Sequence, residues 1–158
     1  MVAATGVLIA AIYYILNIRT TLQTRQAQLF MPIYVTYSSV EFIKARNEVM
    51  NYQFKDFDDY LSKYGYEVNP DAAAKGTMIN AYLEGIGVLM KRGLIDPSIV
   101  DDLMSGVIIT YWEKYQSYLL EYRKRHDWPQ AGEYVEYLYN KIKPIASKQR
   151  KELLRDTP

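Results

Sequence analysis

The chain has 158 residues, 19 of them basic and 18 acidic, a formal net charge of +1 and no cysteine. That length suits one domain with a real core. The balanced charge leaves no electrostatic footprint for nucleic acid, and the lack of cysteine excludes disulfides, thiolate catalysis and iron–sulfur ligation.

From Val2 to Ile18 no side chain is charged, and the run Val7-Leu8-Ile9-Ala10-Ala11-Ile12-Tyr13-Tyr14-Ile15-Leu16 is almost purely apolar. As a helix, residues 2–18 would rise roughly 26 Å, against about 30 Å of bilayer hydrocarbon, so the run is short for a span. Tyr13 and Tyr14 suit a membrane interface. Arg19 and Arg25 follow the run and no Lys or Arg precedes it. The positive-inside rule then expects the N-terminus outside and the body in the cytoplasm. Residues 1–18 are therefore predicted to be a transmembrane anchor, making this a single-pass protein of the cell membrane. A cleaved signal peptide would need a basic n-region and a small-x-small site, which the run does not offer. A buried core helix is the plainer alternative. A helix packed among the subunits of a larger membrane complex would look the same in sequence.

Residues 19–31 read as a polar helical stalk that continues the anchor. Ile15, Ile18, Leu22 and Leu29 keep heptad-like spacing, with Arg25 breaking the seam. This suggests either a self-association stripe or, more simply, an edge resting on the chain's own domain. Pro32 is expected to kink the helix or start a new one. Residues 33–51 form the next predicted helix, on the recurrence of Val35, Phe42 and Val49. A short helix over 55–64 should stop at Gly65. Asn69-Pro70 supplies a cap followed by proline in the first turn, opening a helix that Lys91, Arg92 and Gly93 close. Asp96-Pro97 repeats the signal for a helix to about Arg125, with a bend allowed at Gly106. Trp128-Pro129 is read as the start of the last helix, which passes a kink at Pro144 into a charged tail. The fold expected is all-α: membrane helix, stalk, then an antiparallel bundle of about five to six helices over 32–146, and a tail over 147–158.

No catalytic constellation assembles from these residues. His126 is the only histidine; zinc and di-iron sites need more ligands, and a helix end fits it better. Asp56, Asp58 and Asp59 lack the spacing of a calcium loop and read as acids in a first helical turn. Gly85-Ile86-Gly87 follows no strand, so it is not a dinucleotide fingerprint. No metal or cofactor is expected. Glu84 stands out because its helix is apolar nearly all round. A carboxylate there must be partnered or have a raised pKa. It is either the acid of a binding site or a structural Glu held by a Tyr hydroxyl or an Arg of a facing helix. Asn80 shares its face, and Asn80, Glu84 and Tyr115 form the candidate buried polar site. Tyr111, Tyr115, Tyr118 and Tyr122 lie on one stripe of their helix, a ligand cage or, more commonly, core. Gly85 and Gly87 each cost about 1 kcal/mol in a helix relative to Ala unless a neighbour needs the space.

Several motifs carry a resemblance. The apolar first helix, Asn17-Ile18-Arg19-Thr20, Gln23–Phe30, Glu84–Asp96 and Trp112-Glu113-Lys114-Tyr115 resemble a family of small membrane-anchored all-helical proteins of unknown function. The resemblance implies an N-terminal transmembrane helix with a cytoplasmic helical domain, and no activity. The function expected is non-catalytic: an anchored helical protein docking on a partner at the cytoplasmic membrane face, as an accessory or structural subunit. Its partners would be membrane lipid and a membrane protein, or a second copy through the N-terminal helix, with no nucleic acid. The alternative is a small-molecule sensor or enzyme around Glu84 and the Tyr111, Tyr115 and Tyr118 stripe.

Overall fold

Residues 2–155, with side chains from Gly6 onward, are described by a computed structural model. Among them are six α-helices and no strand: α1 Val2–Tyr37, α2 Val40–Asn51, α3 Phe57–Tyr64, α4 Pro70–Lys91, α5 Pro97–Arg125 and α6 Glu133–Arg155. The chain divides into two units, residues 1–37 and 38–158.

The first unit is a single helix. Val7, Leu8, Ile9, Ile12, Tyr13, Tyr14, Ile15 and Leu16 are each between 50% and 71% exposed. Among the described residues no helix is long and apolar enough to cross a membrane. The predicted anchor begins at residue 1, so its first five side chains lie outside the described ones. Further along, Thr20, Thr21 and Thr24 donate their hydroxyls to the carbonyls of Leu16, Asn17 and Thr20.

Pro32 neither ends α1 nor starts a new helix, because α1 runs through it to Tyr37. A proline interrupts a helix by removing one amide and crowding the carbonyl four residues earlier. That carbonyl belongs to Gln28, an exposed residue. The break falls instead at Ser38-Ser39, where extended Ser39 accepts from the Phe42 amide at 3.2 Å and caps α2. Val35 is consequently 61% exposed in α1, whereas Phe42 and Val49 enter the core from α2.

The second unit is a helical bundle in which α6 packs on α4 and α5, and α4 also meets α2. Its centre consists of Val49, Ile79, Leu83, Ile86, Val100, Met104, Ile108, Val135, Leu138 and Ile142, each at most 1–2% exposed. The predicted caps form. Asn69 and Asp96 accept from the amides of Ala72 and Ser98, whereas Asp56, expected inside the first turn, instead precedes α3 as its cap and accepts from the Asp59 amide. Helix α4 ends with Gly93 at φ +67°, and the Leu94 amide reaches back to the Leu89 carbonyl, the usual glycine termination. Helix α5 ends in the same geometry with Asp127 at φ +47° and the Trp128 amide on the Arg123 carbonyl.

The last helix starts later than Trp128-Pro129 predicts. Residues 128–132 form turns, and α6 begins at Glu133. It then continues through Pro144 to Arg155, so the charged stretch from 147 is helical as far as it is described.

Candidate functional site

Helix α6 begins with a deficit that α4 supplies. The Gly132 carbonyl accepts the first α6 bond, from the Glu136 amide at 3.1 Å. A residue in this position normally contributes a side-chain oxygen to the free amides of the first turn, and glycine has none. Glu84 provides it from across the bundle. Its Oε1 accepts from the Tyr134 amide at 2.9 Å and from the Val135 amide at 2.8 Å. A carboxylate at a helix N-terminus is also favoured by the helix dipole.

The approach of α4 to α6 that makes this cap possible depends on Gly87. A Cβ there would meet the Tyr134 carbonyl oxygen at 2.5 Å and the Tyr134 Cβ at 2.7 Å. At Gly85 a Cβ would meet nothing within 4 Å. Only one of the paired glycines is therefore required by packing. Gly132 is required differently, since its φ of +68° suits glycine. Arg123 fixes the turn before α6, its Nε donating to the Ala131 carbonyl at 2.7 Å and its Nη1 to Glu136 Oε2 at 2.8 Å. Its Nη2 is buried without a partner among the described residues.

Beside this cap lies a cavity of about 580 Å³, bounded by α3, α4, α5 and the turn before α6. Glu84, Asn80 and the Tyr111 side chain line it, and so do the rings of Tyr60, Tyr64, Tyr118, Tyr122 and Trp128. The rings run in series, with centroids 4.3 Å apart for Tyr60 and Tyr118, 6.2 Å for Tyr118 and Tyr122, and 6.4 Å for Tyr122 and Trp128. The Tyr111 hydroxyl donates to Asn80 Oδ1 over 3.5 Å.

Burial pushes the Glu84 carboxyl above its ordinary range, and the two α6 amides offset this only in part. Burial also pushes the Tyr60 phenol up to about 12 and the Tyr111 phenol higher still. These tyrosines are neutral hydrogen-bonding groups at physiological pH.

Of the candidate buried polar site, the structure brings Asn80 and Glu84 to one wall and sends Tyr115 elsewhere. The Tyr115 hydroxyl donates to the Val49 carbonyl at 2.6 Å, and Lys114 Nζ donates to the Met50 carbonyl. These two α5 side chains bond carbonyls in the last turn of α2, where a helix runs out of amide donors; the Val49 carbonyl also accepts from the Tyr52 amide at 3.2 Å. Within the stripe, Tyr111, Tyr118 and Tyr122 line the cavity. Glu84 is held by neither a Tyr hydroxyl nor an Arg but by backbone. His126 caps α5, exposed, with Nδ1 3.1 Å from the Tyr122 carbonyl and its ring stacked on Tyr122 at 4.0 Å. The acids of α3 are accounted for by Asp56 capping, Asp58 bonded to Arg125 and Asp59 to Lys63. Sequence reasoning missed Tyr60, Tyr64 and Trp128; the one local sign was Gly76, where a Cβ would meet the Tyr60 hydroxyl at 2.9 Å.

The fold and cavity define a small all-helical protein whose bundle carries an aromatic-walled pocket with one acid. A family model described as "Domain of unknown function (DUF4760)" matches residues 1–142, and the chain belongs to that family. No curated protein and no solved structure matches the chain.

Proposed function

We propose that this is a non-catalytic helical protein held at a membrane by the first half of α1, docking there on a protein partner. The observation that carries the reading is the exposure of Val7, Leu8, Ile9, Ile12, Tyr13, Tyr14, Ile15 and Leu16, which at about 100° per residue are spread round α1 and not confined to one face. A helix that is apolar all round belongs in a core or in lipid. Here nothing within its own unit covers it, so lipid or a membrane protein is the natural environment. Tyr13 and Tyr14 support an interfacial depth, and Arg19 and Arg25 support an orientation with the bundle on the cytoplasmic side.

Density-gradient flotation of membranes from cells making the full chain tests this. The protein should rise with the membranes and resist alkaline carbonate, whereas the Ile9→Asp/Ile12→Asp variant should stay at the bottom. Full-length protein that fails to float would refute the reading.

A second reading is favoured by a separate observation, the cavity that Glu84 lines. On this reading the bundle is a small-molecule sensor. Its volume falls within the range of about 300–1,000 Å³ common for such sites.

A further inference from the structure

The lining of this cavity restricts what could occupy it. Among its described lining residues Glu84 is the only charged side chain, and no Lys, Arg or His faces in. An anion entering such a space would be stripped of water with no counter-charge among the lining residues to receive it; the nearby Arg123 already acts on Glu84. Rings dominate the walls, and the face of an aromatic ring is the negative part of its quadrupole. Tyr60, Tyr64, Tyr118, Tyr122 and Trp128 all line the space, and an aromatic face attracts positive charge within about 6 Å of its centroid. The acid adds to this attraction. Both α6 amides bond Glu84 through Oε1, and Oε2 has no hydrogen bond among the described residues.

We propose that the cavity binds a small organic cation, a quaternary or protonated amine on an apolar skeleton, held between the tyrosine faces and the Glu84 carboxylate. The proposal rests on the sensor reading of the same pocket. A cation suits the site on two further grounds. The 580 Å³ available exceeds what a bare metal ion needs, and a metal ion would want several oxygen or nitrogen ligands. Among the described residues no cluster of His, Cys, Asp or Glu could hold one. The energetic cost of a half-buried carboxylate would also fall with a cation beside it, so binding and ionisation of Glu84 should reinforce each other.

The test is calorimetric titration of the full chain, in a non-ionic detergent at neutral pH, with choline, benzyltrimethylammonium and dimethylbutanol, the uncharged tert-butyl isostere of choline. At least one of the ammonium probes should bind about tenfold or more tighter than dimethylbutanol, the size of effect that desolvated cation–π contacts supply. Glu84→Gln keeps an oxygen for the α6 amides but removes the charge, and should abolish most of that preference. Tyr118→Leu should weaken the ammonium probes more than the isostere and tests the rings without touching the cap. Equal binding of cation and isostere would overturn the proposal while leaving the pocket a binding site. Cation preference that survives both substitutions would overturn it as well. Binding of none of the three would overturn the proposal and the sensor reading together.

Discussion

Replacing Gly87 by Ala is the sharpest probe of how α4 and α6 are joined. In an ordinary helix the change stabilises by about 1 kcal/mol, since Gly is the poorer helix former. Here the new Cβ would sit 2.5 Å from the Tyr134 carbonyl oxygen and 3.0 Å from its carbonyl carbon. Those are backbone atoms, so no rotamer change relieves the clash and α6 itself must shift. Overpacking of this kind costs about 1–3 kcal/mol. The shift also draws the Tyr134 and Val135 amides away from Glu84, and losing a cap costs about 0.5–2 kcal/mol. Against the propensity gain, the net loss is about 0.5–4 kcal/mol. Gly85→Ala, two residues earlier with nothing within 4 Å, should keep the gain alone. Urea unfolding of both variants, followed by far-ultraviolet dichroism, reads the two signs side by side. Equal stabilisation by both would show that α4 and α6 are not in close contact at Gly87, and the capping argument would fall with it.

Two further predictions concern charge. Glu84 has a raised folded pKa, so it titrates in the unfolded chain first; its contribution to stability is complete below the ordinary carboxyl value and is lost as pH rises through the raised one. The stability of wild type relative to Glu84→Gln should accordingly fall with rising pH across that window, and a difference that is flat or rising would contradict the burial assigned to this acid. Asp101 is 2% exposed, with neither carboxyl oxygen hydrogen-bonded among the described residues. Burial and, after it, the neighbouring Asp102 raise its pKa, against an opposing contribution from Ser105. The advantage of Asp101→Asn over wild type should therefore grow as pH rises past the ordinary aspartate value, as measured by denaturant midpoints; no growth would mean that water or another partner reaches the carboxylate.

What the sequence reveals of this fold follows from the range of the interactions involved. Asn69-Pro70 and Asp96-Pro97 announce their helices because a cap and its amides lie within three residues. At Pro32 no new helix starts, for a reason of context: a proline costs a helix one hydrogen bond, and the residue whose carbonyl loses it, Gln28, is exposed and can turn to water instead. Trp128-Pro129 looks like the other cap-proline pairs, yet the chain needs five more residues to turn, because Asp127 and Gly132 both adopt positive φ. Glu84 shows the limit most clearly. Its isolation in an apolar helix is visible in sequence, and so is the need for a partner. The partner is a pair of backbone amides fifty residues away, and amides carry no sequence signature. The only trace of them is Gly132, a helix start with no side-chain cap of its own.

The aromatic residues divide along the same line. Sixteen tyrosines in 158 residues allow a stripe on α5 to be recognised, but not its two fates. Tyr115 and Tyr111 are one turn apart, both buried, and their rings stack at 4.7 Å. Tyr115 spends its hydroxyl on the end of α2 and holds the bundle together. Tyr111 directs its hydroxyl to Asn80, at the wall of a cavity. What separates them is the element each faces: α2 ends opposite Tyr115 and presents the Val49 carbonyl, which the Tyr115 hydroxyl shares with the Tyr52 amide, whereas opposite Tyr111 α4 presents polar side chains. A tyrosine on such a stripe is structural where its hydroxyl meets a helix end and available to a ligand where it meets a cavity wall. By that criterion Tyr115→Phe should destabilise the bundle by about 1 kcal/mol, the usual worth of one buried hydrogen bond, and leave ligand affinity unchanged. A Tyr115→Phe variant with native stability and weakened ammonium binding would reverse the assignment.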